Sequence, residues 1–415
     1  MTSNMMSKQL FSKKPAVAAP VFKAGPKVAI VHDYLREYGG AERVIEALHE
    51  LFPGAPVYVG FIDRKALGSA AARFADWDIR STYLQKIPFI TKLYSPLRFL
   101  APRAFVSLKL HQYDVVISST NAYFSKAVRA SNGVHFCYCH TPARSLYGYD
   151  TQGSLNASRF MKLASNFLNH FLRLTDFELA QKVDVFLANS QEVSARIRKF
   201  YRRGSEVLYP PVKFVDQLEK NWPSLSSKRR AAFQKSAAVG KKGYYLYVNR
   251  LNYAKHPELA VTAALQNNLN LKVVGSGPLM EQLTELAQGH ANQIELLGSV
   301  SDAELQQLYA GAKALLYPVV DEDFGIVPIE AMAYGVPVIA HRSGGPCETV
   351  LDGRTGVFFE KLSATALAEA IAASEGISFD PQFIHQHAQK FSQAQFQNRL
   401  QKLLKKYVRP HQRLA

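Results

Sequence analysis

Short apolar runs alternate with helical repeats along most of the chain. The run VAIVH at 28–32 precedes a stretch with helical spacing, formed by Val44, Ile45, Leu48 and Leu51. β-Branched runs follow, with helical stretches between them, at 115–120, 135–140, 183–190 and 206–212. This alternation is typical of a parallel sheet with helices on both faces. It predicts a doubly wound α/β domain over residues 27–213.

A second series of strands and helices begins after the polar stretch 215–243. Its predicted strands are YYLYVNRL, LKVVGSG, IELLGSV, AKALLYPV, VPVIAH and GVFF. Stretches such as PELAVTAALQ and DAELQQLYA lie between them and have helical periodicity. We therefore expect a second doubly wound α/β domain over residues 244–390, joined to the first by a linker over 214–243.

The two ends of the chain lie outside these domains. Residues 1–26 lack the apolar core of a secretion signal, so we expect a disordered leader. Residues 391–415 have the pattern of a basic amphipathic helix. Ligands of doubly wound sheets bind beyond the carboxyl ends of the strands, and we expect the two sheets to face each other across a ligand cleft.

The composition argues against an integral membrane protein. Of 415 residues, 47% are hydrophobic and 20% are charged, and no apolar run is long enough to span a bilayer. The three cysteines, Cys137, Cys139 and Cys347, form neither an even disulfide set nor a four-ligand zinc site. Such cysteine usage suits a reducing compartment and predicts a cytoplasmic location.

Positive charge is concentrated in the N-terminal half. Residues 1–213 contain 29 Lys and Arg against 15 Asp and Glu, whereas residues 214–415 contain 21 against 18. The segment 80–109 has no acidic residue, and its basic residues are interleaved with aromatic and aliphatic ones. This composition suits an anionic membrane surface, where each basic residue contributes roughly 1 kcal/mol. A solvated face with its aromatic residues packed inward fits as well, and no motif indicates nucleic acid.

Two glycine turns follow predicted strands. Gly39 and Gly40 follow the first strand, and Gly275 and Gly277 follow LKVV. Such turns let backbone amides approach an anionic ligand at a helix start. Neither turn has the spacing of a dinucleotide fingerprint or a Walker loop, so simple tight turns remain the alternative.

Two cations follow the strand YYLYVNRL. Arg250 and Lys255 lie where a parallel sheet places its ligand contacts. A pair of cations at this position can neutralise a diphosphate leaving group. The alternative is a pair of ordinary surface cations.

The stretch DEDFGIVPIEAMAYG carries two glutamates around a predicted helix start. Pro328 is a favoured first-turn residue, so the backbone amides of 324–326 are expected at the helix N-terminus. Glu322 then lies in the loop and Glu330 in the first turn, from which both carboxylates can face the cleft and bind vicinal hydroxyls. The alternatives are a solvated loop charge for Glu322 and a helix-dipole contact for Glu330.

The same stretch contains a possible metal motif. Asp321, Glu322 and Asp323 have the Asp-any-Asp form that metal-dependent sugar transferases use. No histidine cluster or second carboxylate group in the sequence completes a metal shell. We therefore predict no required metal and no other cofactor.

These motifs together resemble the family-4 retaining glycosyltransferases, which have two Rossmann-like domains in the GT-B arrangement. The resemblance covers nearly the whole chain from Lys27 and includes HDYLREYGGAERV, CHTPAR, YPPV, RLNYAK and GSGP. Its most specific part is the pair Glu322 and Glu330, with DFG between them and SGGPCETVLDGRTG after them. Asn249 departs from the pattern, because relatives often have a small residue there.

The resemblance implies a role for each candidate residue. Arg250 and Lys255 would bind the donor diphosphate, Glu330 the ribose, and His140 would lie near the transferred sugar; a core histidine at a strand end is the alternative for His140. Further implied donor contacts are Glu322 with the backbone of Phe324, Gly325 and Ile326 for the sugar, and Gly39 and Gly40 for the phosphate. No side chain is assigned as a general base, and the tail helix is expected to cross back to the N-terminal domain.

The implied activity is the transfer of a hexose to a glycan. The nearest resemblance is to bacterial mannosyltransferases that build exopolysaccharide or O-antigen. It predicts GDP-mannose as donor and a lipid-linked or polysaccharide acceptor at the inner face of the cytoplasmic membrane. The open alternatives are a soluble transferase with another nucleotide sugar and a small acceptor, a non-catalytic nucleotide-sugar sensor, and a sugar-nucleotide epimerase of similar fold.

Overall fold

The computed structural model describes residues 26–148, 159–219 and 243–408. Within them the chain forms two parallel sheets, of seven and six strands, which are flanked by helices. The prediction of two doubly wound α/β domains is confirmed. The predicted leader up to residue 25, residues 220–242 of the predicted linker and residues 409–415 of the tail lie outside the described residues.

The N-terminal sheet has the strand order β3-β2-β1-β4-β5-β6-β7. Its strands are β1 (Val28–His32), β2 (Val57–Val59), β3 (Ile79–Ser81), β4 (Val115–Thr120), β5 (Val134–Cys139), β6 (Val185–Ala188) and β7 (Glu206–Val207). The short strands β2 and β3 were not predicted, because three residues are too few for a periodic pattern. All residues of β1, β4 and β5 are buried, as expected for central parallel strands.

Helices cover both faces of this sheet. They are α1 (Gly40–Leu51), α2 (Arg64–Leu67), α3 (Ile90–Leu93), α4 (Ala101–Val106), α5 (Arg159–Gln181) and α6 (Gln191–Tyr201). Helix α1 buries Val44, Ile45 and Leu48 against the sheet, in agreement with their helical spacing.

The C-terminal sheet repeats the same winding, with the order β10-β9-β8-β11-β12-β13. Its strands are β8 (Tyr244–Val248), β9 (Asn270–Val274), β10 (Ile294–Gly298), β11 (Ala312–Tyr317), β12 (Val338–His341) and β13 (Gly356–Phe359). The helices around it are α7 (Lys213–Glu219), α8 (Pro257–Gln266), α9 (Met280–Leu286), α10 (Asp302–Gly311), α11 (Ile326–Ala333), α12 (Pro346–Thr349), α13 (Ala364–Glu375) and α14 (Pro381–Ala388).

Two helices connect the domains. Helix α7 lies at the start of the predicted linker, and Phe214, Val215 and Leu218 are buried in the core of the C-terminal domain. The tail forms helix α15 (Gln393–Tyr407), whose buried residues belong to the core of the N-terminal domain: Phe396, Leu400, Leu403 and Leu404. The chain therefore crosses between the domains a second time at its C-terminal end.

The order of each sheet reverses at one place, between β1 and β4 and between β8 and β11. In the first sheet His32 pairs with Ser119, so β1 and β4 end side by side. Loops that leave these two strand ends diverge and open a crevice, which is where doubly wound sheets bind ligands. The two crevices together form the cleft described next.

Candidate active site

A cleft of about 280 Å³ lies between the carboxyl ends of the two sheets. Residues of both domains line it, including Asp33 and Asn121 beyond β1 and β4, and Asn249 and Tyr317 at the ends of β8 and β11. The structure brings nine of the predicted site residues to this cleft: Gly39, Gly40, His140, Arg250, Lys255, Glu322, Phe324, Gly325 and Ile326.

The turn of Gly39 and Gly40 forms the start of helix α1. The backbone N–H of Gly39 donates to Oε2 of Glu42 at 2.8 Å, and this bond holds the turn against the first helical turn. A Cβ on Gly40 would lie 3.1 Å from Cδ1 of Ile326 in the opposite domain, so the turn approaches the start of helix α11 closely. Two helix N-termini, which favour negative charge, therefore meet at the cleft.

The two predicted cations differ in their surroundings. The side chain of Arg250 is 74% exposed, and its Nη1 lies 3.6 Å from Oε2 of Glu37. Lys255 lies two residues before helix α8, is only 22% exposed, and donates from Nζ to Oε2 of Glu322. Both cations line the cleft, but Lys255 is held in place by a partner and Arg250 is largely in solvent.

Glu322 is largely buried, with 17% of its side chain exposed, and one of its carboxylate oxygens has two donors. Besides Lys255, the hydroxyl of Tyr317 donates to Oε2 at 3.0 Å. Burial raises the pKa of Glu322, but the charge and hydrogen bond of Lys255 outweigh it and bring the pKa below its usual value. The side chain is therefore a carboxylate at neutral pH.

Glu330 is placed differently from the prediction. Helix α11 begins at Ile326, two residues before Pro328, so Glu330 lies in its second turn. Glu330 is buried; its Oε1 accepts from Nη1 of Arg43 at 2.6 Å and its Oε2 from the hydroxyl of Tyr309 at 3.0 Å. It is not among the residues that line the cleft in this conformation.

Gly275 and Gly277 also lie apart from the lining residues, and their surroundings are backbone. Both have positive φ, and a Cβ would meet the carbonyl oxygen of Asn249 at 1.8 Å or that of Leu251 at 2.3 Å. These glycines thus let the loop after β9 lie directly on the segment that carries Arg250. A direct donor contact for them stays a prediction.

His140 follows strand β5 and belongs to a buried hydrogen-bonded chain. Its Nε2 lies 2.8 Å from Oγ of Ser119, which lies 3.2 Å from Nδ1 of His32. Burial, with a smaller contribution from the nearby His32, lowers the pKa of His140 to about 4, so the imidazole is neutral at pH 7. His140 is 9% exposed and lines the cleft.

Two arginines of the N-terminal domain hold the acidic triplet. Oδ1 of Asp323 accepts from Nη2 of Arg144 at 2.8 Å and from Nη1 of Arg196 at 2.5 Å. Both arginines also donate to the backbone oxygen of Asp321. In the part of the chain that the structure describes, no group of three or more His, Cys, Asp or Glu side chains is arranged to hold a metal ion.

Sequence reasoning did not single out several of these partners. His32 and Arg43 lie within HDYLREYGGAERV, and Arg144 ends CHTPAR, so the motifs themselves were the signal that could have identified them. Ser119 and Arg196 lie in ordinary strand and helix patterns and carry no such signal. The position of Ser119 follows from the pairing of β1 with β4 within one sheet, and the contact of Arg196 with Asp323 follows from the packing of the two domains.

Two family models match the chain. The model described as Glycosyltransferase Family 4 matches residues 38–214, and the model described as Glycosyl transferases group 1 matches residues 228–377. The chain belongs to glycosyltransferase family 4. Each model covers one of the two domains of this family-4 chain, and the resemblance drawn from the sequence is confirmed.

Curated relatives align with the family-4 chain over different lengths. Alpha-1,3/1,6-mannosyltransferase ALG2 of Candida glabrata is 27% identical over 389 residues, 78% of each chain. The GDP-mannose-dependent alpha-(1-6)-phosphatidylinositol monomannoside mannosyltransferase of Mycobacterium tuberculosis is 34% identical, over 34% of this chain and 41% of that protein. Glycogen synthase of Thermus thermophilus is 34% identical, and the alignment spans only 32% of that enzyme.

Solved structures share the fold of the family-4 chain. Sucrose-phosphate synthase of Thermosynechococcus elongatus superposes with a TM-score of 0.64 at 20% identity, over 91% of this chain and 98% of that one. Anabaena HepE, solved with UDP and glucose, has a TM-score of 0.62 at 19% identity, over 92% and 99%. Both likenesses establish the GT-B architecture. Among the described residues, no helix combines the length and apolar character needed to cross a bilayer.

Proposed function

We propose that this family-4 chain transfers mannose from GDP-mannose, with retention of anomeric configuration, to a lipid-linked or envelope polysaccharide acceptor. The observation that carries the transferase chemistry is the Lys255–Glu322 ion pair at the cleft, which also contains the Gly39-Gly40 turn. The choice of mannose is supported by the names of two relatives, ALG2 and the mycobacterial mannosyltransferase.

Lys255 and Arg250 act on the leaving group in this proposal. An ammonium carries three N–H donors, and Glu322 takes one from Lys255, which leaves donors for phosphate oxygens. Negative charge grows on the diphosphate as its bond to the sugar C1 breaks. Fixed cations that contact this charge stabilise the transition state more than the ground state.

Glu322 acts on the sugar. Its depressed pKa keeps it ionised, and a carboxylate close to C1 stabilises the positive charge that develops there. The acceptor oxygen then bonds to C1 on the face that the diphosphate leaves, and the proton of the acceptor hydroxyl passes to a phosphate oxygen of the leaving group. No side chain needs to act as a general base.

The backbone amides at the cleft complete the donor contacts. Those of residues 324–326 precede or begin helix α11 and bind the donor sugar, and the Gly39-Gly40 turn approaches its phosphate. Glu330 binds the ribose hydroxyls after its ion pair with Arg43 breaks. The proposal thus requires a rearrangement of the Arg43–Glu330 pair when the donor enters.

The proposed reaction needs no metal. Metal-dependent sugar transferases neutralise the diphosphate with a cation, and here Lys255 and Arg250 take that role. Asp323, the second aspartate of the acidic triplet, is already paired with Arg144 and Arg196. A carboxylate so paired is a poor ligand for a divalent cation.

We place the acceptor side at an anionic membrane surface, on the cytoplasmic side. Within the basic segment 80–109, four large hydrophobic side chains are exposed: Tyr83, Phe89, Leu93 and Phe99. Phe89 is 70% exposed and has a φ of 59°, an unusual conformation for a bulky residue. Arg80 and Arg98 bond to protein groups, whereas Lys86, Lys92, Arg103 and Lys109 are exposed beside the apolar side chains.

The donor assignment is tested by thermal denaturation with GDP-, UDP-, ADP- and dTDP-sugars, because a ligand of the folded state raises the melting temperature. A selective increase with GDP-mannose is expected, and Lys255→Ala should abolish it. An increase with another donor only would replace mannose by that sugar, and the soluble transferase with a small acceptor would then be favoured. Conversion of the donor sugar to its epimer without acceptor would overturn the transferase in favour of an epimerase.

A further inference from the structure

Four buried polar side chains form a continuous hydrogen-bonded chain along the wall of the cleft. Oε1 of Glu42 lies 3.4 Å from Nε2 of His32, Nδ1 of His32 lies 3.2 Å from Oγ of Ser119, and Oγ of Ser119 lies 2.8 Å from Nε2 of His140. All four residues are at most 9% exposed. This hydrogen-bonded chain begins at helix α1, passes through β1 and β4, and ends at His140 after β5. Glu42, His32 and His140 line the cleft, and Ser119 links the two histidines.

At both ends of this hydrogen-bonded chain, the chemistry of the end group limits which atom can donate a proton. A carboxylate only accepts hydrogen bonds, so Nε2 of His32 carries a proton and donates to Glu42. The second oxygen of Glu42 accepts from the N–H of Gly39 at 2.8 Å, which fixes the carboxylate. At the other end, Nδ1 of His140 has no hydrogen-bond partner among the described residues and is the nitrogen left for a ligand.

Ser119 links the proton on His32 to the proton on His140. When both nitrogens of His32 are protonated, Nδ1–H donates to Ser119, whose hydroxyl then donates to Nε2 of His140. A neutral His140 in that arrangement carries its only proton on Nδ1. When His32 is neutral, Ser119 donates to Nδ1 of His32 and accepts from Nε2–H of His140, and Nδ1 of His140 becomes an acceptor.

We propose that Glu42 and His32 act through Ser119 as positioning residues that hold His140 with its Nδ1–H available to an oxygen of the ligand in the cleft. The identity of that oxygen, on the donor sugar, rests on the proposed function. The arrangement of the protons rests on the four side chains alone.

The charges around His32 favour the arrangement in which it is protonated. Burial lowers the pKa of His32, but the hydrogen bond and charge of Glu42 outweigh it, and Asp33 adds to the increase, so the pKa lies above its usual value. Burial lowers the pKa of His140, which keeps that ring neutral. Glu42 and Asp33 are the charged groups that face His32, with His140 as the nearby titratable ring.

Ser118, one residue before Ser119, offers a matched control. Ser118, on the same strand, lies 2.8 Å by its Oγ from Nε2 of the buried His135. This pair is equally buried but does not line the cleft. Ser118→Ala therefore removes a comparable serine–histidine hydrogen bond without touching the proposed chain.

The proton positions are measured by long-range ¹H–¹⁵N NMR of the histidine-labelled full chain without ligand, with His140 identified by its loss in His140→Gln. We expect His140 protonated at Nδ1 in the wild type, mixed tautomers in Ser119→Ala, and an unchanged His140 in Ser118→Ala. Raising the pH until His32 loses a proton should move the His140 proton to Nε2. A wild-type His140 protonated at Nε2 below that pH, or an unchanged tautomer in Ser119→Ala, would overturn the proposal.

Activity gives the second measurement. Ser119→Ala should lower turnover at saturating donor by on the order of tenfold or more, as for the loss of one oriented donor, while Ser118→Ala should not. Glu42→Gln removes the charge and keeps the shape of the side chain. His32 should then lose its second proton at a lower pH, so the tautomer of His140 should change at a lower pH than in the wild type. Equal losses of turnover in Ser119→Ala and Ser118→Ala would show that the four hydrogen-bonded side chains contribute only to packing. If GDP-mannose does not raise the melting temperature but the tautomer of His140 changes as expected, the proposed donor is wrong and this inference still holds.

Discussion

Nη1 of Arg43 lies 2.6 Å from Oε1 of Glu330, and this ion pair joins helix α1 of one domain to helix α11 of the other across 287 positions of sequence. Glu330 is buried, whereas the Arg43 side chain is 26% exposed. The pair is part of a closed contact between the domains, which also includes Asp323 with Arg144 and Arg196, and the carboxylate of Glu348 at the start of helix α6.

Arg43→Ala should destabilise this contact. Removing one partner of a fully buried pair costs about 3–5 kcal/mol, and because Arg43 is partly exposed we expect roughly 2 kcal/mol. Urea denaturation measures the loss in free energy of unfolding. Arg43→Lys, which keeps a positive charge, should lose less, and an unchanged stability of Arg43→Ala would show that the pair contributes nothing in solution.

Lys255→Ala should lower turnover by on the order of a hundredfold or more, because the diphosphate loses a fixed cation. The measurement is the initial rate at saturating donor. Arg250→Ala should have a smaller effect, since its side chain is largely in solvent. Near-normal turnover of Lys255→Ala with an intact melting temperature would refute the role of Lys255.

Chelation should leave turnover unchanged. The carboxylate of Asp323 is shared by two arginines, and the charge of the leaving group is met by side chains. The check is the initial rate after extensive dialysis against EDTA, with and without added manganese. Loss of activity that manganese restores would contradict the metal-independent proposal.

Acidic pH should destabilise the fold through His135. Burial lowers the pKa of His135 to about 4, below the value of 6.5 for an exposed histidine. Between pH 6.5 and pH 4, His135 is therefore protonated in the unfolded chain but neutral in the folded chain, and the free energy of unfolding falls as the pH drops below 6.5. The contribution at pH 5 is about 2 kcal/mol for this side chain.

The comparison that isolates this effect is His135→Gln, which removes the titrating group. The stability of the wild type relative to this variant should decrease by about 2 kcal/mol between pH 7 and pH 5 in urea denaturation. A difference that is constant with pH would mean that His135 takes up its proton in the folded state as readily as in the unfolded one.

Phe89 and Leu93 should contribute to binding at an anionic bilayer. Their double substitution by serine removes two exposed apolar side chains, and we expect the affinity for vesicles that contain phosphatidylserine to fall on the order of tenfold. Flotation of the full chain with such vesicles provides the measurement. Leu286→Ser, an exposed leucine of the C-terminal domain, is the matched control and should bind as the wild type does. Absence of wild-type binding would favour a transferase that works in solution.

Much of the architecture was determined by local sequence patterns. Buried parallel strands are uninterrupted apolar runs, and helices repeat their apolar residues with a helical period, so both domains and most strands could be predicted. The carboxyl ends of such strands are ligand sites in this class of sheet, which is why Gly39, Arg250, Lys255 and Glu322 were predicted and lie at one cleft.

Only the tertiary structure decided which charges are paired. A carboxylate such as Glu330 looks the same in sequence whether it faces a cleft or an arginine, and its partner Arg43 comes from the other domain. The same holds for Asp323 with Arg196. Ser119 contacts two histidines because strands far apart in sequence pair within the first sheet. Strand and helix patterns depend on neighbours a few residues apart, whereas these contacts depend on which distant segments lie side by side within a sheet and on how the two sheets meet, and local periodicity contains neither kind of information.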